Sequence, residues 1–141
     1  MATNRQMLVD ELVRDEGLRL FSYLDTVGKW TIGVGRNLTD KGISSREAFD
    51  LLDHDLDECV TDLAGSFPWF VTLDAVRQRV VCNMRFNLGP SRFRQFKQTI
   101  AAIAAGDYVK ASEQMLKSKW ASQVGQRAQR LARMMATGAS V

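Results

Sequence analysis

With 141 residues, 15.8 kDa, 45% apolar and 25% charged residues, the chain has the composition of one globular domain, and two prolines leave room for long helices. No run approaches the roughly 18 apolar residues of a membrane span, and the opening MATNRQMLVDELVRDEG has no signal-peptide core, so a cytoplasmic start is expected. Residues 1–73 carry 7 Lys/Arg against 13 Asp/Glu, a balance of −6, and residues 74–141 carry 12 against 3, a balance of +9; such a basic half suits an anionic polymer (nucleic acid, anionic lipid or acidic envelope groups) or is simply solvated.

In residues 4–16, Leu8 and Leu12, like Val9 and Val13, recur at four-residue spacing and Gly17 follows. This predicts a helix closed by a left-handed glycine, with Glu16 at its C-terminal end. SYLD and WTIGVG then read as two short strands around the turn TVGK, Trp30, Ile32 and Val34 alternating with Thr31, Gly33 and Gly35. SSRE at 44–47 is a capping box that opens the longest expected helix, to about Ala64. FPWF breaks the pattern, and LDAVRQRVVCNMRFNLG resumes it up to the stop signal Gly89-Pro90. Ser91 can cap a run to about Ala105, Gly106-Asp107 leads into a helix reaching Trp120, and SQVGQRAQRLARMMATG forms a last, basic amphipathic helix. Cys59 and Cys82 lack metal-ligand spacing and read as reduced thiols, while His54, the single histidine, excludes a histidine-rich metal site.

The period of two puts Tyr23 and Asp25 on one face of the first strand and Thr31, Gly33 and Gly35 on one face of the second. That second face is nearly bare, which suits close approach to the backbone by a ligand, or a tight turn or packed helix. GVGRNL lacks the third glycine and the helix start of a phosphate loop, so nucleotide binding is set aside. Glu16, Asp25 and Thr31 remain, near one helix end and one hairpin. Glycoside hydrolysis requires one carboxylic acid that donates to the leaving oxygen and a second that stays ionised. Glu16 meets the partial negative charge of a helix C-terminus whereas Asp25, at a turn, meets water. On the residues alone, Glu16 also reads as an ordinary surface group.

The segments RDEGLRL, YLDTVGKWTIGVG, LDAVR, NMRFNLG and KSKWASQVGQRAQR, in this order along most of the chain, resemble the phage-type lysozymes (endolysins) of glycoside hydrolase family 24. The resemblance implies a single domain, residues 1–141, of mainly helical α+β, lysozyme-like fold. A hairpin lobe at about 17–43 and a helical lobe at about 65–141 plus the N-terminal helix would be joined by the helix starting near Ser44, with a cleft between. It makes Glu16 the general acid and gives Asp25 and Thr31 the attacking water, hence inversion and a carboxyl separation in the longer class of roughly 6.5–9.5 Å. It sets Arg127 beside Glu16 with Gln123 nearby, and makes Gly33 and Gly35 a bare wall for a polysaccharide. Phe86 and Asn87 become substrate contacts, or else core and cap, and Trp120 is expected to pack.

The implied activity is hydrolysis of the β-1,4 bond between N-acetylmuramic acid and N-acetylglucosamine in peptidoglycan. It implies no metal or organic cofactor, no nucleic-acid partner and a monomer. The protein would wait in the host cytoplasm until a pore-forming holin gives it access to the periplasm and cell wall. The chain departs from the family pattern at Arg36, where histidine is common, and in the short link RNLTDKGI, which predicts a reduced small lobe. The rival readings are a catalytically silent domain that binds peptidoglycan or scaffolds a partner, and a basic helical nucleic-acid binder.

Overall fold

The computed structural model describes every residue, Met1–Val141, and contains seven α-helices and one three-stranded antiparallel sheet, the mainly helical α+β class expected. By compactness the chain falls into two units, Met1–Asp50 and Leu51–Val141, with the N-terminal helix in the first.

The first unit opens with α1 (Asn4–Glu16), whose Thr3 hydroxyl accepts the Gln6 N–H at 3.1 Å. Gly17 ends it, donating to the Val13 carbonyl at 2.8 Å. Its φ of 79° is positive as expected, but its ψ of 158° is extended, a conformation open to glycine alone rather than the left-handed helical one. The chain therefore leaves α1 straight into β1 (Arg19–Leu24). β1 pairs with β2 (Trp30–Gly33) through Tyr23↔Thr31 and Leu24↔Trp30, with an irregularity between Arg19 and Tyr23.

The expected two-strand hairpin gains β3 (Arg36–Asn37), which pairs back on Thr31 and Ile32. The reason lies in the glycines. Gly33 and Gly35, at φ of 69° and 67°, turn the chain after WTIG, so the second strand stops at Gly33 and Gly35 lies in the turn, off the strand face predicted for it. α2 (Ser45–Ser66) begins with the predicted capping box: Glu47 N–H donates to the Ser44 hydroxyl at 3.1 Å, and Ser44 N–H donates to the Glu47 carboxylate at 3.0 Å.

In the second unit a 3₁₀ turn (Phe70–Thr72) leads to α3 (Ala75–Arg94), capped by Asp74. The stop predicted at Gly89-Pro90 appears as a kink, Gly89 at φ 80° and ψ 169°, and helix resumes at Pro90 rather than Ser91 because proline suits a first helical position. The run expected to continue to Ala105 is broken at Gln95–Phe96, after which α4 (Lys97–Ala104) begins. α5 (Tyr108–Lys117) likewise stops short of Trp120: Ser118 ends it and caps α6 (Lys119–Val124) through the Ala121 N–H at 3.2 Å. α7 (Gln126–Thr137) follows Gly125 and closes on the left-handed Gly138.

The core belongs to this unit. Leu63, Val80, Val81, Met84, Phe93, Met115 and Met135 are enclosed, with Phe93 edge-on to Phe67 at 5.8 Å. Arg77 donates to the Met135 and Ala136 carbonyls at 2.7 and 3.1 Å, satisfying the end of α7. Asp62 on α2 accepts from Arg85 Nε at 3.0 Å and from Arg94 Nη2 at 2.6 Å, so one carboxylate holds α3 on both sides of its kink. Those two guanidinium groups bring the Asp62 carboxyl down to about 2. Cys59 and Cys82 are free thiols, and burial raises the pKa of both. No helix is long and apolar enough to cross a membrane.

Candidate active site

Within Met1–Asp50 the end of α1, the turn after β1 and the strand β2 carry Glu16, Asp25 and Thr31. Asp25 lies just past β1, where its Oδ1 accepts the N–H groups of Val27 at 2.9 Å and Lys29 at 2.8 Å. This Asx turn closes the hairpin and uses one carboxylate oxygen only. Thr31 is 4% exposed, the one buried residue of this unit, and its hydroxyl donates to the Lys29 carbonyl at 2.9 Å. Both side chains are thus fixed on the same short segment, Asp25 and Thr31 each bonding to Lys29.

Glu16 meets the turn between β2 and β3 at Gly35. A β-carbon on Gly35 would lie 3.0 Å from Glu16 Oε2 and 3.1 Å from its Cδ, so the space expected to face a sugar is filled by the Glu16 carboxyl. Gly33 differs, for a β-carbon there would meet nothing within 4 Å. Of the predicted bare wall, Gly33 stays open and Gly35 packs against the Glu16 carboxyl.

Arg36, the departure from the family pattern, finds its partner locally. Its Nη1 lies 2.8 Å from Glu47 Oε2 and donates to the Gly42 carbonyl at 3.3 Å, tying β3 to the start of α2. Hydrogen bonds from Ser44, and then Arg36, hold the Glu47 carboxyl below its usual range.

The remaining candidates lie in Leu51–Val141. Arg127 donates from Nε and Nη2 to Asn83 Oδ1 at 2.9 and 2.7 Å. Asn83 was missed by the sequence reading although it stands in the quoted NMRFNLG; an asparagine one helical turn before Phe86 and Asn87 was the available signal. Asn87 accepts the Trp120 indole N–H at 2.9 Å, which gives it a structural role, and Trp120 packs as expected, 3% exposed and edge-on to Phe96 at 6.1 Å. Phe86 is 41% exposed on α3, and Gln123, exposed on α6, meets Arg92 at 3.5 Å.

The model of the family described as "Phage lysozyme" matches residues 13–136, which include Glu16, Asp25, Thr31, Asn83 and Arg127. The chain belongs to the phage lysozyme family. A "Probable T4-type lysozyme 2" of Dictyostelium discoideum is similar at 28% identity, over 93% of this chain and 94% of its own length. "Probable T4-type lysozyme 1" of the same organism is 28% identical over 92% and 93%. The "Pre-baseplate central spike protein Gp5" of Enterobacteria phage T4 is 30% identical over 93% of this chain but only 28% of its own length. Membership in the phage lysozyme family places the chain among the glycosidases of lysozyme type. Glu16, Asp25 and Thr31 all lie in the first unit and within the matched residues.

Proposed function

We propose that this member of the phage lysozyme family is a muramidase of endolysin type. It would hydrolyse the β-1,4 bond between N-acetylmuramic acid and N-acetylglucosamine in bacterial peptidoglycan, with inversion, and serve host lysis. The observation that carries this reading is the seating of the Glu16 carboxyl against Gly35, in the same unit as Asp25 and Thr31.

Glu16 donates its proton to the leaving glycosidic oxygen. Asp25 acts as base through Oδ2, because Oδ1 already accepts two backbone N–H groups. The Thr31 hydroxyl spends its one proton on the Lys29 carbonyl, so towards a water it can only accept. A water giving one hydrogen to Asp25 Oδ2 and the other to Thr31 Oγ1 presents a lone pair to the anomeric carbon. That orientation suits direct displacement, and the near-burial of Thr31 leaves access for a water rather than a sugar ring. Gly33, bare and open, lets a polysaccharide lie against the strand.

The site needs no metal or organic cofactor in this scheme. The protein acts as a monomer, waits in the host cytoplasm, and reaches the wall once a pore-former such as a holin permeabilises the inner membrane. The spike protein's name supports a second reading, a lysozyme-like domain serving within a larger assembly.

The test is turbidity loss of permeabilised Gram-negative cells by purified wild type and Glu16→Gln. The amide keeps the shape and cannot donate an acidic proton, so lysis falls at least ~100-fold with the fold retained. A folded Glu16→Gln protein that lyses like wild type defeats the assignment, and a wild type that binds peptidoglycan without cutting it favours the silent reading.

A further inference from the structure

The second unit holds a cavity of about 510 Å³ that contains none of Glu16, Asp25 and Thr31, and of the expected substrate contacts only Gln123 lines it. Arg92 from α3, Lys97 from α4, Lys117 from α5 and Lys119 from α6 line it, and no aspartate or glutamate does. None of the four cations enters an ion pair, although Arg77, Arg85 and Arg94 in the same unit all do. Four positive charges from four helices, all on exposed residues, make the potential around this cavity positive, which favours an anion.

The cavity also takes in the first turn of α4. Its N-cap residue, Phe96, offers no side-chain acceptor, and the first turn holds no acidic residue, so the N–H groups of Lys97, Gln98 and Thr99 have no partner inside the protein. Uncapped N–H groups at a helix start, with the positive end of the helix dipole, favour a multi-oxygen anion.

Thr99 supplies a separate indication. It is 2% exposed and lines the cavity, and its hydroxyl takes part in none of the side-chain hydrogen bonds of the unit. Since no fully enclosed polar atom of the chain lacks a partner, this hydroxyl belongs to the small accessible part of Thr99, a residue that lines the cavity. In the free protein water reaches this hydroxyl, and a ligand oxygen can take that water's place. Beside it stand the Phe96 and Trp120 rings, an apolar wall.

From these features we infer that the cavity binds a phosphomonoester, its phosphate held by the α4 N-terminus, Thr99 and the four cations, its organic part against Phe96 and Trp120. A dianion with three terminal oxygens matches the number and charge of the donors better than a single carboxylate. The groove is open and leaves room beside the phosphate for an organic group.

The experiment is amide-resolved NMR titration of the full chain with inorganic phosphate and, separately, glycerol phosphate, at constant ionic strength so that general screening is held fixed. Saturable shifts at Lys97, Gln98 and Thr99 with both probes, tighter for glycerol phosphate, are expected. The double variant Lys97→Ala/Lys117→Ala weakens binding about tenfold or more, as loss of charge-assisted hydrogen bonds does. Thr99→Val, which keeps the volume and removes the hydroxyl, weakens it severalfold, and Arg130→Ala, on α7 and outside the cavity, leaves it unchanged. Shifts that spread over the basic surface without saturating overturn the site, as does unaltered affinity in a folded Lys97→Ala/Lys117→Ala protein. Binding of inorganic phosphate with exclusion of glycerol phosphate overturns the assignment to an ester.

Discussion

Replacing Gly35 by alanine tests whether the position of the Glu16 carboxyl matters. Gly35 has φ of 67°, where an alanine is strained by roughly 1–2 kcal/mol. Alanine also restricts the unfolded chain, which returns about 0.4–1 kcal/mol, so the net loss of stability is about 1 kcal/mol. The larger effect falls on the acid. The new methyl group would stand 3.0, 3.1 and 3.3 Å from Oε2, Cδ and Cγ of Glu16. Comfortable contact starts near about 3.5 Å, so the carboxyl retreats by about half an ångström. A displacement of about 1 Å can cost ~100-fold in rate, and half of it about tenfold.

Gly28→Ala is the matching control, since Gly28 has φ of 80° but a β-carbon there meets nothing within 4 Å. Lysis of permeabilised cells, normalised to folded protein and compared with urea melts, separates the two terms. Both variants lose similar stability, and only Gly35→Ala loses about tenfold in turnover. Equal lytic rates in the two variants would refute the argument that the acid is seated on the glycine.

Asp62→Asn gives a pH signature. The Asp62 carboxyl falls from 3.8 to about 2, a ceiling of about 2.4 kcal/mol that solvent screening at its 22% exposure reduces to about 1–2 kcal/mol. Because the folded value is the lower one, this stability is complete above about pH 4 and fades as pH falls towards 2; urea melts of both proteins should therefore converge in acid, and a gap unchanged from pH 7 to pH 2.5 would contradict it. For the water held by Asp25 and Thr31, proton NMR of freshly cut oligosaccharide should show the α-anomer first, and Thr31→Ala should lower kcat more than it raises KM; an initial β-anomer removes the water-holding role. Asn87→Ala leaves the buried Trp120 indole N–H without its acceptor and should cost about 1–3 kcal/mol by denaturant melts. Unchanged stability would make Asn87 a surface contact instead.

What the sequence disclosed was mostly what short-range chemistry decides. The limits of α1 followed from an apolar repeat and a glycine, and the Ser44–Glu47 capping box is complete within four residues. The breaks at Gln95–Phe96 and at Ser118 carry no glycine or proline; they sit where Phe96 and Trp120 come edge to edge, a contact between residues distant in the chain. β3 escaped notice because two residues are too short for any alternation to register. At the candidate site, the motif resemblance named Glu16, Asp25 and Thr31. It did not reveal that Glu16 would occupy the space left by Gly35, nor that Arg127 would be held by Asn83, 44 residues away.

The carboxylate of Asp62 has a kinetic meaning as well. Its two arginines lie 23 and 32 residues along the chain, on either side of the Gly89 bend, so the two pairs are closed together only once α2 has met both arms of α3. Interactions that must wait for such assembly are typically absent from the folding transition state. They then leave the folding rate alone and slow the escape from the native state. If the double contact closes late, Asp62→Asn should speed unfolding and leave the folding rate nearly unchanged, which the two limbs of a urea chevron would read separately.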